Sequence, residues 1–349
     1  MKKFKRGVGV AAAGVLLVLA SGVTAAADYS MVPTPEDQKW ILPKTVPAPA
    51  DNATTPARVE LGKMLFFDPR LSTERSMSCA TCHNPLLGWS DGLPTTKGFR
   101  GKVLGRAAPT VVNTGYNPIQ NWDGKRDSLE GVTMGPVQNP DMMAMDGKIL
   151  SAWLSKVPGY KAAFDAAYPG EPIDKTTVAK ATGAFQRTLV SDDSPFDQWL
   201  KGDKKALTAQ QIKGFRLFSD PAKGNCVACH QAPNFTDSGF HNIGLASFAK
   251  VPPDLGRYAI KPIPVLKGAF KTPTLRDISL TAPYFHDGSA NTLMEVVEHY
   301  NKGGVVKTNL SPNIKPLGLS TEEMQDIVAF MQGLTTKHKR FELPELPLE

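Results

Sequence analysis

Cys79-Ala80-Thr81-Cys82-His83 and Cys226-Val227-Ala228-Cys229-His230 decide how this chain is read. Between them they contain all four of its cysteines. An even cysteine count in an oxidising compartment ordinarily suggests disulfides. Two copies of C-x-x-C-H that use every cysteine suggest covalent haem instead, because two thiols can form thioethers to the vinyl groups while the adjacent His meets the iron. Zinc is the competing metal, but a site built from thiolates has no use for a His after each pair. Two covalently bound c-type haems are therefore expected, held by Cys79, Cys82, Cys226 and Cys229 and ligated by His83 and His230.

The surroundings of the two motifs are alike. Leu61-Gly62-Lys63-Met64-Leu65-Phe66-Phe67-Asp68 precedes the first, and Lys213-Gly214-Phe215-Arg216-Leu217-Phe218-Ser219-Asp220 precedes the second. Each reads as a short apolar-periodic helix that delivers the chain to its motif. Residues 148–203 also read as helical, Thr208 as an N-cap, and Ser320 or Thr321 with Glu323 as the start of a last helix at about 321–334. Strand signals are few, and 30 Gly and 29 Pro indicate long loops. The expected fold is mainly α, with two cytochrome c-like domains, each holding one haem, long loops and little sheet. The expected divisions are an extended arm at 28–55, domains at 56–200 and 201–336, and a tail at 337–349.

Residues 1–27 carry a basic start, an apolar run and a small-residue cluster at Ala25-Ala26-Ala27, the pattern of a secretory signal peptide. The apolar run is short for a membrane span of roughly 20 residues. Cleavage near Ala27 would place the protein in the periplasm with no stable membrane span. It would remove four cations (Lys2, Lys3, Lys5, Arg6) and no anion, so the formal charge of +7 falls to +3. That balance gives no argument for nucleic acid.

Further stretches add a resemblance. Leu65-Phe66-Phe67-Asp68-Pro69-Arg70-Leu71-Ser72, Asp91-Gly92-Leu93-Pro94, Trp122-Asp123-Gly124, Gly135-Pro136, Lys271-Thr272-Pro273-Thr274-Leu275-Arg276 and Ala282-Pro283-Tyr284-Phe285-His286-Asp287-Gly288 occur in order with the haem motifs. Together they resemble the bacterial di-haem cytochrome c peroxidases, from about residue 55 to 335. That superfamily includes the MauG-type enzymes, which oxidise residues of a partner protein.

The resemblance implies that the His83 haem reacts with hydrogen peroxide and the His230 haem relays electrons. It implies that Trp122 lies between the haems as an electron bridge; a core Trp is the alternative. The position fourteen residues after His286, where peroxidases of the family have a Met ligand, holds Tyr300, as in MauG-type members. A phenolate is a hard donor that stabilises ferric iron. The alternative is a packing Tyr300 with neighbouring His299 as ligand.

This chain also departs from the family. Phe99 stands at the distal-His position of peroxidases that need reductive activation, so an open first haem is expected. Val132 and Met142 stand at the positions of the family's Gln and general acid–base Glu, a group contributing roughly 10²–10⁴-fold. Asp141, or Asp146, is the candidate replacement. The family's inter-haem calcium would take the Thr281 and Pro283 carbonyls, but its Asn ligand position holds Ala107, which weakens the site. Arg257 is a candidate partner for a haem propionate, and His241 a hydrogen-bonding residue behind the second haem.

Three functions compete. The first is a MauG-like oxidase of a protein substrate. The second is a peroxidase that removes hydrogen peroxide, fed by a small cytochrome or cupredoxin. The third is a non-catalytic di-haem electron carrier. The resemblance also makes a homodimer an expectation.

Overall fold

The computed structural model describes Met1, residues 30–337 and residues 341–348. The expected signal peptide beyond Met1, and residues 338–340 of the expected tail, lie outside the described residues. Among them no helix is long and apolar enough to cross a membrane.

The described chain is mainly helical. Its α-helices are α1 (Pro56–Phe67), α2 (Cys79–Cys82), α3 (Leu129–Gln138), α4 (Gly147–Leu154), α5 (Pro158–Ala167), α6 (Lys175–Gln186), α7 (Pro195–Leu200), α8 (Ala209–Ser219), α9 (Leu293–Asn301) and α10 (Thr321–Gln332). One two-residue antiparallel pair, β1 (Phe240–His241) with β2 (Phe270–Lys271), is the whole of the sheet among the described residues. The caps follow the sequence. Thr208 accepts from Gln211 N at 3.2 Å and opens α8. Ser320 accepts from Glu323 N at 3.1 Å and opens α10.

Both halves repeat one device. The helix that leads into each haem motif crosses a later helix at a glycine. In the first half, α1 lies on α6, and a Cβ on Gly62 would collide with the Ala181 carbonyl. In the second, α8 lies on α10, and a Cβ on Gly214 would collide with the Asp326 carbonyl. Backbones that approach this closely fix where each motif begins.

The cores do not follow the chain order. Phe196, Trp199 and Leu200 of α7, which the expected boundary at 200 assigns to the first half, lie in the second core with Phe215 and Phe330. The arm is more than an extended stretch. It forms a 3-10 turn at Pro35–Trp40 and buries Trp40 in that same second core. Asp37 anchors it, accepting from Arg216 at 2.7 and 2.8 Å. Residues 341–348 run the other way, onto the first half. Phe341 packs with the Phe66, Phe185 and Val111 core, and Pro347 O accepts from Arg70 at 2.9 Å.

The halves meet at a polar seam. Arg106 holds Asp123 at 2.7 Å and Asp254 at 2.7 and 2.9 Å. Lys271 N donates to Trp122 O at 2.7 Å, and Ala107 N to His286 O at 2.8 Å.

Candidate functional site

A cavity of about 1010 Å³ with a mainly apolar lining carries both motifs on its wall. Cys82 and His83 line it from the first half, and Cys226, Cys229 and His230 from the second. Cys79 lies just behind, against the Phe66–Phe185 cluster. The four cysteines form no disulfide. Burial pushes the Cys79 and Cys226 thiols up to about 12, with help from the neighbouring cysteine, and Cys82 up to about 11. Cys79, Cys82 and Cys226 thus carry desolvated sulfurs.

The two imidazoles are prepared as ligands. His83 Nδ1 lies 3.2 Å from Trp89 O, and His230 Nδ1 lies 2.8 Å from Phe235 O. A carbonyl accepts, so each Nδ1 donates and each Nε2 keeps its lone pair for a metal. Burial holds both rings neutral, lowering His83 below its usual value and His230 to about 4. Trp89 (φ 60°) and Phe235 (φ 54°) adopt left-handed backbone, which aromatic residues ordinarily avoid. An apolar cavity, paired thiols and Nε2-directed imidazoles fit two haems.

Tyr300 and His299 separate cleanly. Tyr300 is half-buried on the cavity wall that His230 also lines. Burial pushes its phenol well above the usual value, so it ionises only beside a strong cation. His299 turns away: its Nε2 lies 2.8 Å from Ile243 O, and its ring packs on Phe285 at 5.2 Å.

Trp122 lies at the seam. Its Nε1 donates to Ala107 O at 2.9 Å, and it lines the cavity that holds His83 and His230. Gly124, at φ 64°, is required there, because a Cβ would collide with Phe240. His286, whose side chain had no role in the sequence reading, stacks on Phe270 at 3.5 Å and meets the Trp122 ring at 6.4 Å.

The acid–base candidates also separate. Asp141, Val132 and Met142 all line the cavity. Asp146 is committed elsewhere, capping α4 by accepting from Lys148 N and Ile149 N at 2.8 and 3.0 Å. Arg257 is engaged at the seam through one nitrogen, Nη1. Its guanidinium donates to Asp123 O and Gly124 O at 3.0 and 2.6 Å, and stacks over Phe240 at 4.4 Å. The cations on the cavity wall include Arg106, Arg126 and Lys271. Lys271 is 8% exposed, and burial lowers it to about 8. Its Nζ donates to Thr272 O at 2.7 Å, and the donors left over suit a haem carboxylate. Sequence reasoning quoted Lys271 within a motif but gave it no role, since only the fold shows its burial.

His241 donates to Asp237 at 2.8 Å. Asp237 above all, and then Cys229, raise it to about 10. These three bring ligand atoms within 4.8 Å of one another. A sulfur committed to a thioether leaves only the His–Asp pair, which is already satisfied. Thr281 and Pro283 line the cavity too. At Ala107 the side chain is a methyl group and the carbonyl is taken by Trp122, so a hard cation wanting six to eight oxygens is poorly served.

A family model described as di-haem cytochrome c peroxidase matches residues 56–205, and one described as cytochrome c matches residues 211–335. The chain is 45% identical over 308 residues to the methylamine utilization protein MauG of Methylorubrum extorquens, covering 87% of this chain and 86% of that protein. The chain belongs to the di-haem cytochrome c peroxidase/MauG family. Cytochrome c551 peroxidase of Pseudomonas aeruginosa is 38% identical over 294 residues, covering 82% of this chain and 81% of that one. A crystal structure of a MauG-like protein associated with microbial copper homeostasis superposes with a TM-score of 0.79 at 31% identity, covering 85% of this chain and 95% of that chain. Like its di-haem relatives, this member of the family is a peroxidase-type oxidoreductase built from two cytochrome c-type domains, and haem is its cofactor.

Proposed function

We propose that this chain is an exported periplasmic enzyme that uses hydrogen peroxide to take electrons from a partner protein or substrate, in the manner of MauG. The observation that carries this reading is Tyr300 on the cavity wall with His230, while His299 is turned to Ile243 O. The 45% identity to MauG points the same way.

Bound haem supplies an iron that reacts with peroxide and a conjugated ring that carries electrons. Cys79 and Cys82 would hold the first haem covalently, and Cys226 and Cys229 the second. His83 would ligate the first iron, and His230 with Tyr300 the second. The Trp89 and Phe235 carbonyls hold each imidazole in the Nδ1–H tautomer. Trp122 bridges the two halves for electrons. Reducing hydrogen peroxide to two waters consumes two electrons and two protons. Asp141, which lines the cavity, would handle a proton where the family has Glu. Arg126 and Lys271 on the cavity wall would neutralise haem carboxylates, while Arg106 is paired with Asp123 and Asp254. Calcium at the Thr281 and Pro283 carbonyls is weak or dispensable, and a homodimer is the assembly we infer.

A second reading, removal of peroxide with electrons from a small cytochrome or cupredoxin, draws on the 38% identity to cytochrome c551 peroxidase. A third, a non-catalytic electron carrier, draws on Val132 and Met142 at the cavity wall. EPR and near-infrared absorption of the oxidised protein separate the three. The expected resting state is one high-spin and one low-spin haem, with peroxide bleaching the Soret band and raising a long-lived near-infrared band. Tyr300→Met should shift only the low-spin signal. No response to peroxide leaves the electron carrier. Rapid turnover with a reduced cytochrome but no oxidation of a protein substrate leaves the peroxidase.

A further inference from the structure

We propose that Phe341 is a positioning residue for the first haem: docked on Trp89, it holds in place the carbonyl that accepts from His83 Nδ1. The proposal rests on His83 as the ligand of that haem.

After each motif, an aromatic residue in left-handed backbone supplies the carbonyl that fixes the imidazole. These are Trp89 (φ 60°) for His83, and Phe235 (φ 54°) for His230. Such a conformation persists only where the surroundings hold it. In the second half the arm does this. Trp40, 2% exposed, stacks on Phe235 at 4.4 Å and 27°, and its own carbonyl accepts from buried Arg276 at 3.1 Å.

In the first half the 341–348 segment has the matching place. The Phe341 ring meets Trp89 edge-on at 5.1 Å and 90° and stacks on Phe67 at 5.2 Å and 25°. Lys63 Nζ lies 5.1 Å from its centroid. Farther along, Pro347 O accepts from Arg70 at 2.9 Å. The straps are crossed: residues before the first motif brace the second haem's imidazole, and residues after the second motif brace the first's.

The two braces are unequal. Trp40 is buried, whereas Phe341 is half-buried. The His83 bond is 3.2 Å against 2.8 Å for His230. The Nδ1–H···O bond orients the ring and raises the basicity of Nε2, and a more basic ligand favours ferric iron. Loosening Trp89 therefore shifts the first haem toward its reduced form and leaves the second unchanged.

Spectroelectrochemical titration of the resting holoprotein, without peroxide, tests this in the wild type and in Phe341→Ala, Phe341→Leu and Phe341→Tyr. Phe341→Ala should shift the redox equilibrium of the high-spin haem three- to tenfold toward ferrous, where tenfold is about 59 mV for one electron. The iron–histidine stretch of that ferrous haem should fall in resonance Raman. Phe341→Leu, which keeps apolar bulk but no ring, should lie between, and Phe341→Tyr should restore both signals. Unchanged potentials, potentials that move together, or a Tyr variant as defective as Ala would overturn the proposal. Failure of the His83 assignment looks different: His83→Ala would then leave both haem spectra intact.

Discussion

At the scale of single residues, covalent chemistry made the site legible. Thioethers and an adjacent imidazole demand a fixed spacing, so Cys79 to His83 and Cys226 to His230 could be read without a fold. Tyr300 could be placed only by counting from His286, and what separates it from His299 is a hydrogen bond to Ile243 O that no spacing reveals. The Trp89 and Phe235 carbonyls were illegible, since left-handed backbone at an aromatic residue is imposed by tertiary packing. The backbone partners of Arg257 were illegible too, because Asp123 O and Gly124 O are more than a hundred residues away in sequence. Asp141 and Asp146 give a paired prediction. Asp146→Ala removes the cap of α4 and should lower stability in denaturant unfolding while sparing the peroxide reaction. Asp141→Asn should leave stability nearly unchanged and slow the peroxide reaction in stopped-flow absorption, by up to roughly 10²-fold for a general acid–base group.

At the scale of elements, local signals carried the helices well. Thr208 and Ser320 cap α8 and α10 as their sequences imply. The long helical reading of 148–203 resolves into α4, α5, α6 and α7, broken where Pro158 and Pro195 open new helices. What the sequence showed but did not explain is Gly62 and Gly214, at matching places in the two related stretches. The explanation lies in α6 and α10, more than a hundred residues downstream, whose carbonyls occupy the space of a Cβ. Gly62→Ala and Gly214→Ala should each destabilise the holoprotein by about 1–3 kcal/mol, the range for forced overpacking. Thermal unfolding measures this, and the Gly214 change should disturb the low-spin haem before the high-spin one.

At the scale of the whole molecule, two similar halves were legible, but not how the ends of the chain are shared between them. Pro, Asp and Thr made 28–55 read as a loose arm, and only the folded core shows Trp40 inside the second half. Its docking carries a pH signature. Burial alone would raise the Asp37 carboxyl, but the Arg216 guanidinium and the Thr34 hydrogen bonds outweigh burial and hold it below its usual 3.8. A depressed folded value means the contribution is complete above pH 3.8 and is lost as pH falls through that lower value. Asp37→Asn should therefore lower the melting temperature at pH 7, and the gap to wild type should narrow as pH falls below 3.8. The crossed straps also set an order in time. Synthesis runs from the first residue forward, so the first haem motif emerges long before Phe341 reaches Trp89. The motif that appears first is thus the last to be finished, and a chain interrupted after α10 would carry a complete second haem site beside a first one still waiting for its brace.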